Sequence, residues 1–150
     1  MIRGSCLCGG IRFEVDRVRA LTTCHCGNCR KLSGSAFAVY AHVDADKFRL
    51  LAGEALLADY ESAPGSIRRR CKVCGCAAPG KAAYLPTVSI PAGLLDDDPV
   101  VRPMLHVFTA SRAPWWTITD ALPQHEKWVP GYEPKDAQAA TPPALDKGEG

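Results

Sequence analysis

Apolar side chains occupy every second position over Ile11, Phe13 and Val15, with Arg12 and Glu14 between them. A period of two is that of a strand with one buried face. Similar short runs return along the chain. Residues 37–43 (Phe37 to Val43), 48–51, 56–60, 87–90 and 104–108 each read as strands, and 66–71 extends into a cysteine group. Thr22 and Thr23 form a further extended segment. Gly53-Glu54 lies between 48–51 and 56–60 and predicts a hairpin joining them, and Ala63-Pro64-Gly65 predicts a turn. Residues 83–85 are a weaker strand candidate, cut from 87–90 by Pro86. Residues 77–83, which contain Pro79-Gly80, and the acidic stretch 92–99 read as loops. One short helical turn is expected at 28–32, stopped near Gly34. No long amphipathic helix and no internal repeat is visible, so the pattern predicts a mainly β protein of short antiparallel strands.

The pattern stops before the chain does. From Glu133 the sequence is rich in Ala, Pro, Lys, Asp and Gly, and Pro134 to Gly150 contains no aromatic residue. A single domain is therefore expected over residues 1–132, with 133–150 a disordered tail. A length of 150 residues with 47% hydrophobic content suits one domain with its own core. Charged residues make up 23% and the net charge is +2, too weak a bias to imply a nucleic-acid or membrane partner. No apolar run approaches the roughly 18 residues that span a bilayer. Met1-Ile2-Arg3-Gly4-Ser5 carries no apolar signal region, which points to a cytoplasmic protein.

Composition changes the picture at one residue type. Eight cysteines are many for a reducing compartment, where clustered C-x-C and C-x2-C spacings point to metal ahead of disulfides. A secreted disulfide scaffold is the alternative, and it lacks an export signal. The cysteines fall into three groups: Cys6 and Cys8; Cys24, Cys26 and Cys29; Cys71 and Cys74, followed by Cys76. Cys6, Cys8, Cys71 and Cys74 make a full set of four ligands for a structural zinc that ties distant segments together. Cys24, Cys26 and Cys29 offer three sulfurs and one open position, the pattern of catalytic-type zinc. Such a site suits activation of an external thiol toward a small electrophile, because a coordinated thiol loses its proton.

Cys76 is either a fourth ligand that closes the trio or a bystander, and the bystander reading is preferred. His25 lies between two expected ligands on an extended segment, so it points the other way and reads as an exposed or packing residue. His42, His106 and His125 lack metal spacing and read as structural. Arg30 and Lys31 read as solvated charges. Arg68, Arg69 and Arg70 form a basic run on a strand, where at most two can serve one pocket. Arg68 and Arg70 are the candidates for substrate carboxylates, because guanidinium matches carboxylate in a bidentate way. No general base is identifiable.

These residues resemble the glutathione-dependent formaldehyde-activating enzyme family. Gly4-Ser5-Cys6-Leu7-Cys8-Gly9-Gly10 is similar to its opening motif, and Cys24-His25-Cys26-Gly27-Asn28-Cys29-Arg30-Lys31-Leu32-Ser33-Gly34-Ser35-Ala36-Phe37 to its central one. Cys71-Lys72-Val73-Cys74-Gly75 resembles the second zinc arm. The stretch from Val88 to Asp97, His106-Val107-Phe108 and Ser111-Arg112-Ala113-Pro114-Trp115 are similar to later segments. The resemblance covers about residues 4 to 128. Two positions depart from it: Arg70 stands where an aromatic is frequent, and Cys76 where a small hydroxyl residue is more usual.

The resemblance implies a β-tent of short antiparallel sheets and two zinc ions per chain. One would be structural on Cys6, Cys8, Cys71 and Cys74, the other catalytic-type on Cys24, Cys26 and Cys29. It also implies carbon–sulfur lyase chemistry, the reversible addition of a thiol such as glutathione to formaldehyde or a related small aldehyde. The alternative is a noncatalytic zinc module for protein interaction.

Overall fold

A computed structural model describes residues 1–83 and 85–133. The expected disordered tail at 133–150 lies outside the described residues except for Glu133, and the strand candidate at 83–85 includes Tyr84, also outside them. In chain order the elements are β1 (Ile2–Ser5), β2 (Arg12–Val15), β3 (Ala20–Cys24), α1 (Gly27–Ser33), β4 (Ala38–Asp44) and β5 (Phe48–Ala52). They continue with β6 (Leu57–Ala63), β7 (Ser66–Cys71), β8 (Ala77–Ala82), β9 (Thr87–Pro91) and β10 (Pro103–Val107). The fold is mainly β, as the alternation predicts.

The strands form two sheets. One is antiparallel in the order β1-β2-β5, and the other runs β10-β3-β4-β9-β8-β7-β6. All neighbours are antiparallel except β10 and β3, which are parallel. The core lies between the sheets. Phe13 and Val15 of β2 meet Leu21 of β3, Ala41 and Val43 of β4, and Val88 and Ile90 of β9. Ile11, Phe13 and Val15 are all essentially fully buried, so the period read from the sequence marks the inner face of β2.

Two expectations are corrected. Residues 48–51 and 56–60 do not form a hairpin: β5 pairs with β2 in the small sheet, while β6 pairs with β7 in the large one. Gly53 turns the chain from one sheet to the other at φ +88, and a Cβ there would stand 2.4 Å from the Gly10 carbonyl oxygen and 2.8 Å from Ile11 Cα. Residues 77–82 are a strand, not a loop. Arg69 pairs with Ala78 and Ile67 with Lys81, so β8 carries one extra residue around Pro79-Gly80. A bulge is how a strand accommodates proline.

The Gly53 crossing generates a test. Gly53→Ala adds both left-handed backbone strain and a backbone clash, and should cost about 2 kcal/mol or more. Gly93→Ala, where nothing lies within 4 Å of the added carbon, should cost far less. Chemical denaturation of both variants measures the difference; equal stabilities would mean that the crossing relaxes freely.

Candidate metal centres

Two loops of the same design bring four thiols together. In the first, the Cys6 carbonyl accepts from Gly9 N–H at 2.8 Å, and Cys6 N–H donates to Ile11 O at 3.1 Å. In the second, the Cys71 carbonyl accepts from Gly75 N–H at 2.9 Å, and Cys71 N–H donates to Cys76 O at 2.8 Å. Gly9 and Gly75 both take positive φ, at +70 and +71, which lets each loop close this tightly. Backbone N–H groups also turn toward sulfur: Ile11 N–H donates to Cys6 Sγ at 3.3 Å. The Cys76 amide acts likewise on Cys74, lowering its pKa to about 6.

The sulfurs of Cys6, Cys8, Cys71 and Cys74 all lie within 4.8 Å of one another. Cys6 and Cys8 are 3.5 Å apart and Cys8 and Cys71 are 3.8 Å apart. Ligands about 2.3 Å from a tetrahedral zinc stand about 3.8 Å from each other, so the separations fit that ion. Among the described residues this set could hold a metal.

Cys24, Cys26 and Cys29 form the second group, again within 4.8 Å of one another. Cys24 ends β3. Cys26 caps α1, its sulfur accepting from Cys29 N–H at 3.3 Å, and Gly34 stops the helix in a left-handed conformation. Cys24 and Cys29 are buried. The donor set asks for a cation. Hydrogen bonds from Cys24 and Cys29 hold the Cys26 thiol well below its ordinary pKa, while Cys26, Cys29 and burial hold Cys24 well above. Three thiolates so close repel unless a positive ion lies between them, and a divalent ion resolves that conflict. Cys76 belongs to neither group. Its side chain packs, partly buried, against both the main core and the small core around Ile11 and Ala78.

Strand alternation places what surrounds the trio. Cys24 pairs with Ala38 and Thr22 with Tyr40 across β3 and β4, so these four share one face. Tyr40 packs against the trio, and burial together with Cys29 raises its pKa. The Arg68 charge favours the thiolates of Cys26 and Cys29, after the larger effects of the neighbouring thiols, which leave Cys26 lowered and Cys29 raised to about 11; its Nε donates to Ser62 Oγ at 3.0 Å. Arg70, two residues on, donates to Gly75 O and Leu32 O, both at 3.0 Å, and so bridges the loop after Cys74 to the end of α1. Arg69 points the other way and pairs with Asp59 at 3.1 Å. Arg30, expected as a solvated charge, is half-buried, with its Nε enclosed and unpartnered among the described residues.

The opposite face of β3 carries an arrangement that the sequence did not reveal. His25 is fully buried, and its Nε2 lies 2.8 Å from Nδ1 of buried His106. Nε2 of His106 lies 3.1 Å from both carboxylate oxygens of Asp120. Burial, then the neighbouring His106, lowers the His25 pKa, which keeps the ring neutral at pH 7. A cavity of about 190 Å³ opens beside the pair, lined among others by Thr23, Phe37, His106, Trp116 and Asp120. His42 is also held, 2.8 Å from Thr22 Oγ1. The signal for His25 was its place between two ligands; its partners are too distant in sequence to be read.

Comparison with known proteins agrees with this architecture. The family model described as glutathione-dependent formaldehyde-activating enzyme matches residues 1–111. The crystal structure of a Rhodobacter sphaeroides protein, a structural genomics target, is similar at 21% identity with a TM-score of 0.56. The similarity covers 64% of this chain and 89% of that one, and is a likeness of fold. No curated protein matches the chain.

Placing Cys76 outside both groups has a measurable consequence. Cys76→Ala should leave bound metal unchanged and cost about 1 kcal/mol through lost packing. Cys71→Ala should release one metal ion and lower thermal stability further, because that ion joins two distant loops. Metal analysis and melting of the two proteins distinguish them; metal lost from Cys76→Ala would place its thiol in a ligand shell.

Proposed function

The chain belongs to the glutathione-dependent formaldehyde-activating enzyme family, and on that premise we propose that it is a zinc-dependent carbon–sulfur lyase. It would reversibly add a thiol of the glutathione kind to formaldehyde or a related small aldehyde. The observation that carries this reading is the unequal pair of thiol groups, one of four sulfurs and one of three. A closed set of four suits a structural zinc, and three ligands with one position left suit a zinc that takes substrate. Zinc held by Cys24, Cys26 and Cys29 would lower the pKa of a substrate thiol that reaches it.

The chain's own residues do the rest. In the addition, sulfur bonds to the aldehyde carbon, the carbonyl π pair moves to oxygen, and that oxygen gains the proton that the thiol loses. Tyr40 packs on the trio's face, where its hydroxyl would donate a hydrogen bond to the developing oxyanion. Arg68 brings positive charge to the same face, where it would attract the carboxylates of an anionic thiol. Arg70 contributes through the scaffold, holding the loop after Cys74 against α1. No helix among the described residues is long and apolar enough to cross a membrane, and thiol ligands of this kind fit the reducing cytoplasm.

Exchange NMR of a formaldehyde–glutathione mixture tests the reading. Protein loaded with zinc should speed interconversion above the uncatalysed background, and Cys26→Ser should return it to background while the chain stays folded. No acceleration by a protein carrying two zinc ions would leave the noncatalytic zinc module. The two ions should also differ in lability. Chelator titration should strip the trio before the four-thiol set, and simultaneous loss would contradict the assignment of one open and one closed shell.

A further inference from the structure

Asp120, His106 and His25 form a hydrogen-bonded chain that runs inward from the surface and ends between two of the trio's cysteines. We propose that Asp120 and His106 are positioning residues for the cysteine trio, acting through His25; this rests on the metal reading of the trio. The direction of the chain follows from hydrogen-bond inventory. An ionised carboxylate only accepts, so His106 Nε2–H donates to Asp120. With a neutral His106 ring, Nδ1 carries a lone pair, and His25 Nε2–H donates to it across 2.8 Å. His25 Nδ1 is left as the bare nitrogen, and it is buried with no partner among the described residues.

The ring is held on every side that matters to its neighbours. Phe37 lies 5.5 Å and His106 5.1 Å from it between ring centroids, and its backbone N–H donates to Val107 O at 3.0 Å. Cys24 and Cys26 leave the backbone on the opposite face from His25, so a roll of this residue would swing both sulfurs. A site needs its ligands held by groups that are themselves held.

Asp120 is held too. Its Oδ1 accepts from Leu122 N–H at 2.9 Å. The segment that carries it is stitched to β10 by His106 N–H to Pro123 O at 2.8 Å and His125 N–H to His106 O at 2.9 Å. Asp120 also lies beyond residues 1–111, the span of the family match, so this anchor comes from the part of the chain that the match leaves out.

Three variants of the full chain test the proposal: Asp120→Asn, His106→Leu and His106→Asn. Long-range ¹H–¹⁵N imidazole correlations report the His25 tautomer, and cobalt competition reports affinity at the trio, its spectrum isolated by difference against Cys26→Ser. Wild type should show His25 protonated on Nε2. In Asp120→Asn, with one side-chain atom kept by the Leu122 amide, the new NH2 faces His106 and reverses the chain, moving the His25 proton to Nδ1. Cobalt affinity at the trio should fall about tenfold in Asp120→Asn and in His106→Leu, the low end for groups behind metal ligands. His106→Asn keeps an acceptor near the Nδ1 position and should retain more affinity than His106→Leu; a packing role alone would give the reverse order.

Wild-type affinity in Asp120→Asn, or His25 protonated on Nδ1 in wild type, would overturn the proposal. Asp120 is half-exposed, so its variant decides the question even where His106→Leu fails to fold. A wild-type trio that takes no cobalt would instead refute the metal reading on which the inference stands.

Discussion

The Cys8 sulfur lies 3.8 Å from that of Cys71, and this contact joins a loop of the three-stranded sheet to the end of a strand in the seven-stranded one. Thiols pack this closely without penalty only while they remain protonated or share a cation. The small core beside them is thin: Cys6, Ile11, Cys71 and Ala78 are its buried members, with Leu50, Leu56 and Leu57 partly buried around it. Apolar burial there is modest beside the main core of Phe13, Val15, Val43 and Ile90. The end of the tent is therefore held by sulfur geometry, and Arg68 and Arg70 lie on β7, the strand that ends at Cys71.

The trio itself is organised by the simplest property of a strand, that successive side chains point to opposite faces. Cys24 and Tyr40 fall on one face, Thr23 and His106 on the other. One sheet edge thus carries a cluster of thiols in front and a polar, hydrogen-bonded support behind. The same rule separates Arg68 and Arg70 from Arg69, which turns away to Asp59. Electrostatics near the sulfurs are consequently asymmetric, with cationic charge at Arg68 and the neutral His25 imidazole behind.

Much of this was legible in the sequence because it is local. The period of two at Ile11, Phe13 and Val15 identified a buried strand face, and Gly34 marked the end of α1. Cysteine spacing identified which thiols would gather, since C-x-C and C-x2-C fix the separation within each loop. What the sequence hid is either non-local or a conflict of local signals. Pro79-Gly80 signals a loop, yet the segment is a bulged strand because β7 and β9 pair on either side of it. Gly53-Glu54 signals a hairpin, yet the turn carries the chain to another sheet. His25 was read as exposed or packing; its partner His106 is brought to it by the parallel pairing of β10 with β3, which no local pattern announces.

That parallel pairing also orders assembly in time. The C-x-C-x2-C segment closes over a few residues, and α1 needs no distant partner to form its first turn. Its support comes from His106, separated from His25 by 81 positions, and closing so long a loop carries an entropy that short loops avoid. On the folding path the sulfurs of the trio meet early, while the histidine behind them docks late. The trio's sulfurs are thus brought close by local geometry alone, so any ion taken up on the folding path would be held before the support behind it is in place.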